Sequence, residues 1–157
     1  MRREQFELEV SNIEWVDTDS EPAKPTVAIR FTTEEDDDLQ HRLTTADGSL
    51  LDASETDIAY RLLSDLETDD PRGVVSITNR ITGDFILELN AEADDVFQFI
   101  RAARRYGEHT EEDGEFRVQI YADGEKLVTH DKSTFLVYNS EGELLRKHSL
   151  IPGGVEL

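Results

Sequence analysis

The chain contains no cysteine, which excludes disulfides, thiolate metal sites and cysteine nucleophiles at once. Lysine is nearly missing too: four residues against twelve arginines. No apolar run approaches the ~20 residues that a bilayer-spanning helix requires. Met1-Arg2-Arg3-Glu4 leads directly into an acidic strand, where a secretory signal would need an uncharged apolar segment. The expected location is therefore the cytoplasm. The sequence also lacks a Walker-type phosphate loop, a Rossmann glycine fingerprint, a G-x-S-x-G elbow and an H-E-x-x-H pair.

What is plentiful is charge of one sign. Asp and Glu total 36 against 16 Lys and Arg, a formal net charge of −20. The acids are spread over nearly every segment. An acidic, lysine-poor surface suggests adaptation to molar salt, where the Debye length shrinks to about 3 Å and self-repulsion is screened. The competing reading is an acidic mesophilic protein with a polyanionic interaction role. Dispersal of the acids through well-patterned strands favours the first. Either way the balance argues against nucleic acid, whose binding depends on Lys and Arg neutralising phosphates, and against an anionic membrane surface.

Hydrophobic residues make up 37% of the 157, low for a globular chain but above the disordered range. That length fits one domain, residues 1–157, able to bury about 68–70% of its unfolded surface. The organising element is the stretch Asn90 to Gly107. Asn90 is available as an N-cap, followed by Glu92, Asp94 and Asp95 near the positive end of the dipole. Val96, Phe97, Ile100, Ala103 and Tyr106 recur along one face. Arg101, Arg104 and Arg105 gather at the other end, and Gly107 can stop the helix in a left-handed conformation. The expectation is one amphipathic helix at about 91–106.

Elsewhere the pattern is strands. Phe6, Leu8 and Val10 alternate with Glu7 and Glu9; Val27, Ile29 and Phe31 form a second strand, and Ile58, Tyr60 and Leu62 another. Val74–Asn79 and Asp84–Asn90 make a hairpin around Thr82-Gly83, with Phe85, Leu87 and Leu89 expected on one face and Ile86 on the other. Residues 34–44 read either as a short helix capped by Thr33 or, preferably, as an acidic loop leading into a hairpin around Asp47-Gly48. After the helix, residues 115–150 read as a β-meander, and 151–157 as a tail that docks or frays. The fold class is α+β: predominantly antiparallel sheet, sandwich-like, strand-rich over 3–90 and with one helix over a face. Short strand spacing argues against parallel units.

Two segments carry side chains suited to chemistry. Thr78–Asp84 crowds Asn79, Arg80 and Asp84 at a hairpin bend; turn hydrogen bonds explain them, with Arg80 as an anion clamp the sharper alternative. Arg101, Arg104 and Arg105 are the one tight cationic cluster inside an element, explained either by the helix terminus or by a binding patch. Thr129–Thr134 holds His130, Asp131, Lys132 and Ser133 together, but neighbours on a strand face opposite ways and do not make a triad. His41, His109, His130 and His148 show no metal-ligand spacing. No catalytic residue, metal or cofactor is therefore assigned, and the binding candidates are Asn79, Arg80, Asp84, Arg101, Arg104 and Arg105.

Three stretches, Gly73-Val74-Val75-Ser76-Ile77-Thr78-Asn79-Arg80-Ile81-Thr82-Gly83-Asp84-Phe85, Phe99-Ile100-Arg101-Ala102-Ala103-Arg104-Arg105-Tyr106-Gly107 and the terminal His148-Ser149-Leu150-Ile151-Pro152-Gly153-Gly154-Val155-Glu156-Leu157, resemble a small acidic protein family of haloarchaea with no assigned function. The resemblance implies the cytoplasm of a salt-in halophile and carries over no catalytic residue. The leading expectation is a non-enzymatic module that binds another protein or a second copy of itself. The alternative is a small-molecule-binding domain or enzyme with a site near the 78–84 loop.

Overall fold

The computed structural model describes residues 6–18, 21–31, 42–109, 115–122 and 124–151. Eight strands run in chain order: β1 (Phe6–Ser11), β2 (Thr26–Phe31), β3 (Thr56–Leu62), β4 (Arg72–Asn79), β5 (Phe85–Glu92), β6 (Phe116–Ala122), β7 (Glu125–Lys132) and β8 (Leu136–Tyr138). A single described α-helix, α1 (Ala93–His109), stands between β5 and β6. The strands form two sheets of four, ordered β1-β2-β6-β7 and β5-β4-β3-β8.

The sheets are mixed, not predominantly antiparallel as strand spacing suggested. β2 runs parallel to β6, with Val27 opposite Val118 and Ile29 opposite Ile120, and β3 runs parallel to β8. A parallel pair needs a long crossover, and the fold supplies one by sending the chain through the other sheet instead of through a dedicated helix. The expected meander over 115–150 is split for the same reason. β6 and β7 form a hairpin in the first sheet, β8 crosses to the second, and residues 146–148 form a one-turn 3₁₀ helix.

Alternation places one face of every strand inside. Tyr60, Leu62, Val75, Ile77 and Leu89 of the second sheet are essentially fully buried, as are Ile29, Phe31, Phe116, Val118 and Ile120 of the first. One buried cluster draws on both sheets and the helix. Phe99 of α1 meets Phe116 edge-on at 5.4 Å between ring centroids and Phe135, beside β8, at 6.2 Å. One side chain thus contacts a strand of one sheet and the approach to a strand of the other.

The helix begins and ends later than its sequence suggested. Asn90 is a β5 residue opposite Val74, so it does not cap the helix; the Ala93 amide donates instead to Pro71 O at 2.9 Å. Gly107 keeps helical geometry and the helix runs on to His109. Glycine is needed at 107 for space: a Cβ there would sit 2.7 Å from Glu115 Cδ. The buried face is wider than the predicted stripe, because Phe99 and Ala102 join Val96, Ile100, Ala103 and Tyr106. Phe97 is only half-buried and stacks on His148 at 4.3 Å.

β5 also departs from simple alternation. Ile77 pairs with Leu87 and Thr78 with Phe85, leaving Ile86 as the extra residue of a bulge. The bulge re-aims the strand: Ile86 is buried with Leu87, and Phe85, expected inside, is 56% exposed. Around Asp47-Gly48 the hairpin forms from Leu43 on, with Thr44 bridged to Leu50, while Arg42, expected in its first arm, is helical. Residues 34–41 and 152–157 fall outside the described residues.

Candidate functional site

The two ends of the sandwich are finished differently. At one end stands β7, whose inner face reads Val128, His130, Lys132, in register with Ile120, Val118 and Phe116 of β6. An apolar strand would close the core here. This one turns two basic side chains inward, against a 3₁₀ turn at Ala53–Glu55 that Asp52 caps through a reciprocal box with Glu55. His130 Nε2 lies 3.0 Å from Leu51 O and its Nδ1 lies 3.2 Å from Thr56 Oγ1. A carbonyl only accepts, so Nε2 carries the proton, Nδ1 accepts, and the Thr56 hydroxyl donates. Burial holds the His130 imidazolium form down, and nearby Lys132 adds to that. Lys132 Nζ donates to Ala53 O at 2.7 Å and Thr56 O at 2.6 Å. Burial pushes its pKa down to about 8, against the favourable field of Asp57.

This corner gathers the two segments that the sequence singled out separately. Arg80, from the 78–84 bend, clamps Asp57 with Nε at 3.1 and 3.2 Å from the two carboxylate oxygens, and its amide donates to Glu55 O at 2.8 Å. Thr129–Thr134 contributes His130 and Lys132 to the other side of the same turn. The remaining bend residues serve the bend itself. Asn79 Oδ1 accepts from the amides of Ile81 and Thr82, and the Asp84 amide donates to Thr82 Oγ1. Chemically the corner is a polar latch. The basic groups His130, Lys132 and Arg80 all end on carbonyls or a carboxylate of the same chain.

The helix arginines differ in their partners. Arg101 pairs with Asp17 at 3.0 Å, and Arg104 donates to Ser149 O at 2.8 Å. Arg105 is exposed and makes no ion pair among the described residues. Glu115, packed against Gly107, is held above the usual carboxylate range by burial, partly offset by Arg104. The described His, Asp and Glu side chains form no cluster of three suited to a metal ion.

Among the described residues the other end of the sandwich is open. β1 closes the first sheet's order and β5 the second's, and the two edge strands face each other. Between them runs a cleft of about 720 Å³, within the volume range of ligand sites. Phe6, Leu8, Gly73 and Ala91 line it together with Asn90, and its charged groups are Glu7, Glu9, Glu92 and Asp95 against Arg30 and Arg72. Arg30 is engaged by Glu9 at 3.3 Å and Arg72 by Glu92 at 3.4 Å. Glu7 and Asp95 have no cationic partner among the described residues, so the cleft carries surplus negative charge. Arg42 Nη1 reaches Ile86 O at 3.4 Å and Tyr60 Oη donates to Ala91 O at 2.9 Å, occupying two β5 carbonyls near its ends.

Sequence reasoning did not find this cleft. None of its charged residues was singled out, and the one available signal was Glu7 and Glu9 alternating on β1.

Fold and site together define a class: a two-sheet α+β protein with one closed and one open end, in which no described helix is long and apolar enough to cross a membrane. The whole chain, residues 1–157, matches the Family of unknown function (DUF5793), and the protein belongs to that family. Comparison with curated proteins and with solved structures returns no match.

Proposed function

We propose that the protein is a non-enzymatic interaction module that takes an extended, basic segment of another protein into the cleft between β1 and β5. The observation that carries this reading is the pairing of two edge strands across one open, net-negative cleft. A sheet edge offers a row of backbone donors and acceptors that a peptide strand completes. Side-chain pockets of alternating character beside it then supply selectivity. Glu7 and Asp95 are placed to pair with Lys or Arg of the incoming strand, while Phe6 and Leu8 offer apolar contact.

The 78–84 loop supports a small-molecule reading less well, because the Arg80 guanidinium is already held by Asp57. The charge of −20 supports a salt-adapted protein of the cytoplasm, folded as one domain. It also disfavours nucleic acid and anionic membranes as partners.

A peptide-display selection in molar KCl tests the reading, run against the full chain and against the double variant Glu7→Lys, Asp95→Lys. The proposal predicts enrichment of extended sequences carrying Lys or Arg, and loss of those sequences with the variant. No enrichment, or the same peptides with both proteins, would refute it.

A further inference from the structure

A second surface adjoins the cleft, with Leu63 at the border of both. The centre of the second sheet's outer face is sparse in charge, although the chain carries 36 acids. Across its centre the rows read Tyr138, Arg61, Val74, Asn90 and then Leu136, Ala59, Ser76, Glu88. Eight positions hold one arginine and one carboxylate. Beyond these rows the same face carries Asp57 toward one end and Arg72 opposite Glu92 at the other, so the sparsely charged part is its centre. On the second sheet a groove of about 350 Å³ runs past Val74, Phe85 and Tyr138. Phe85 and Leu63, which also lines it, are 56% and 57% exposed. The bulge at Ile86 is what turns Phe85 outward, so the exposed ring is built into the strand pairing.

We propose that this face is where two copies of the chain associate. The charge pattern selects a second copy over an unrelated partner. A cation on the inner strand β3 and an anion on the edge strand β5 make the centre of this face complementary to itself, since a twofold that sets Arg61 on the second copy's Glu88 also sets Glu88 on that copy's Arg61. Arg61 donates to Ser140 O at 3.1 Å through Nη2 alone and is otherwise exposed, so its charge remains available. Bringing together two chains of −20 each is opposed by their overall repulsion, which molar salt screens within about 3 Å. Association through an apolar groove therefore strengthens as salt rises, the reverse of an interface held by surface charge alone.

Sedimentation velocity in a KCl series, over a wide protein concentration range, tests this with four proteins: wild type, Arg61→Glu, Glu88→Arg and the double exchange. The expected result is a monomer–dimer equilibrium that shifts to dimer with salt. Each single reversal weakens the dimer by about tenfold or more, and the double exchange recovers it. Circular dichroism of every variant reports folding independently, and the recovery would not occur if the single variants were merely misfolded. A wild type that stays monomeric at all salt concentrations overturns the proposal. So do single reversals that dimerise as well as wild type, or a double exchange that stays monomeric. Peptide capture in the cleft is measured separately, so failure of one reading is distinguished from failure of the other.

Discussion

Tyr60 reaches the Ala91 carbonyl through the space that Gly73 leaves empty. The phenol donates to Ala91 O at 2.9 Å. A Cβ on residue 73 would lie 2.7 Å from Tyr60 Cζ, 2.8 Å from its hydroxyl and 2.3 Å from Arg61 O. The last contact is with backbone of the paired strand and cannot be relieved by a side-chain rotation. Tyr60 thereby ties β3 to the end of β5, next to the floor of the open cleft.

Gly73→Ala is expected to destabilise the protein by about 3 kcal/mol, the upper end of overpacking costs, because the obstruction includes main chain. Tyr60→Phe keeps the ring and leaves Ala91 O without its donor, for about 1 kcal/mol. Denaturant unfolding of both variants checks the order; an alanine at 73 that costs less than the phenylalanine at 60 would contradict the geometry.

The latch at β7 makes stability depend on pH in a definite direction. His130 and Lys132 are both held below their ordinary 6.5 and 10.5, Lys132 at about 8. In each case the unfolded chain binds the extra proton, so stability rises with pH through the affected window. For Lys132 the contribution is complete above about 10.5 and is lost as pH falls to about 8; for His130 it is lost as pH drops below 6.5. Lys132→Met should flatten the rise between pH 8 and 10 relative to wild type, and His130→Gln the acid limb. Tyr60 acts oppositely: burial raises its phenol, so its contribution is present below pH 10 and lost as pH rises beyond that. Unfolding free energies measured across pH on wild type and variants test all three signs.

Ser149 is buried and bonded twice: its hydroxyl donates to Leu145 O at 2.8 Å and accepts from the Val137 amide at 2.8 Å. Ser149→Ala strands the amide of a central β8 residue in the core. A loss of about 1–3 kcal/mol follows, with faster hydrogen exchange at Val137 as the specific readout.

Phe99 is the residue that both sheets share through its contacts with Phe116 and Phe135. Phe99→Ala is expected to cost about 3–5 kcal/mol, well above Phe97→Ala, whose ring is half-buried against His148. Equal losses at 97 and 99 would refute this assignment of the helix's inner face.

The salt-adaptation reading predicts a melting temperature that climbs steadily through a KCl series, as screening removes the repulsion among 36 acids. A melting temperature that stayed flat or fell would remove that reading without touching the fold.

What could be seen in the sequence was local. Helix periodicity placed Val96, Ile100 and Ala103 inside, and alternation placed Ile58, Tyr60 and Leu62 there, because each pattern is fixed by the geometry of one element. Phe99 was missed because a helix lying against two sheets buries a wider arc than a single stripe. Ile86 and Phe85 were exchanged because a bulge adds one residue and alternation counts straight through it. His130 and Lys132 were not placed inside, because pairing counted straight back from the hairpin turn faces them outward; a second bulge, between Ile120 and Tyr121, shifts β7 by one residue and turns both inward. The parallel pairs and the cleft depend on which strands end each sheet. That order comes from long-range packing and has no signature in residue spacing.

Hydrogen–deuterium exchange, with and without a display-selected basic peptide, tests the open cleft most directly. The account predicts slowed exchange in β1 and β5, with α1 unchanged. Protection confined to other elements, or no protection at either edge strand despite measurable binding, would contradict it.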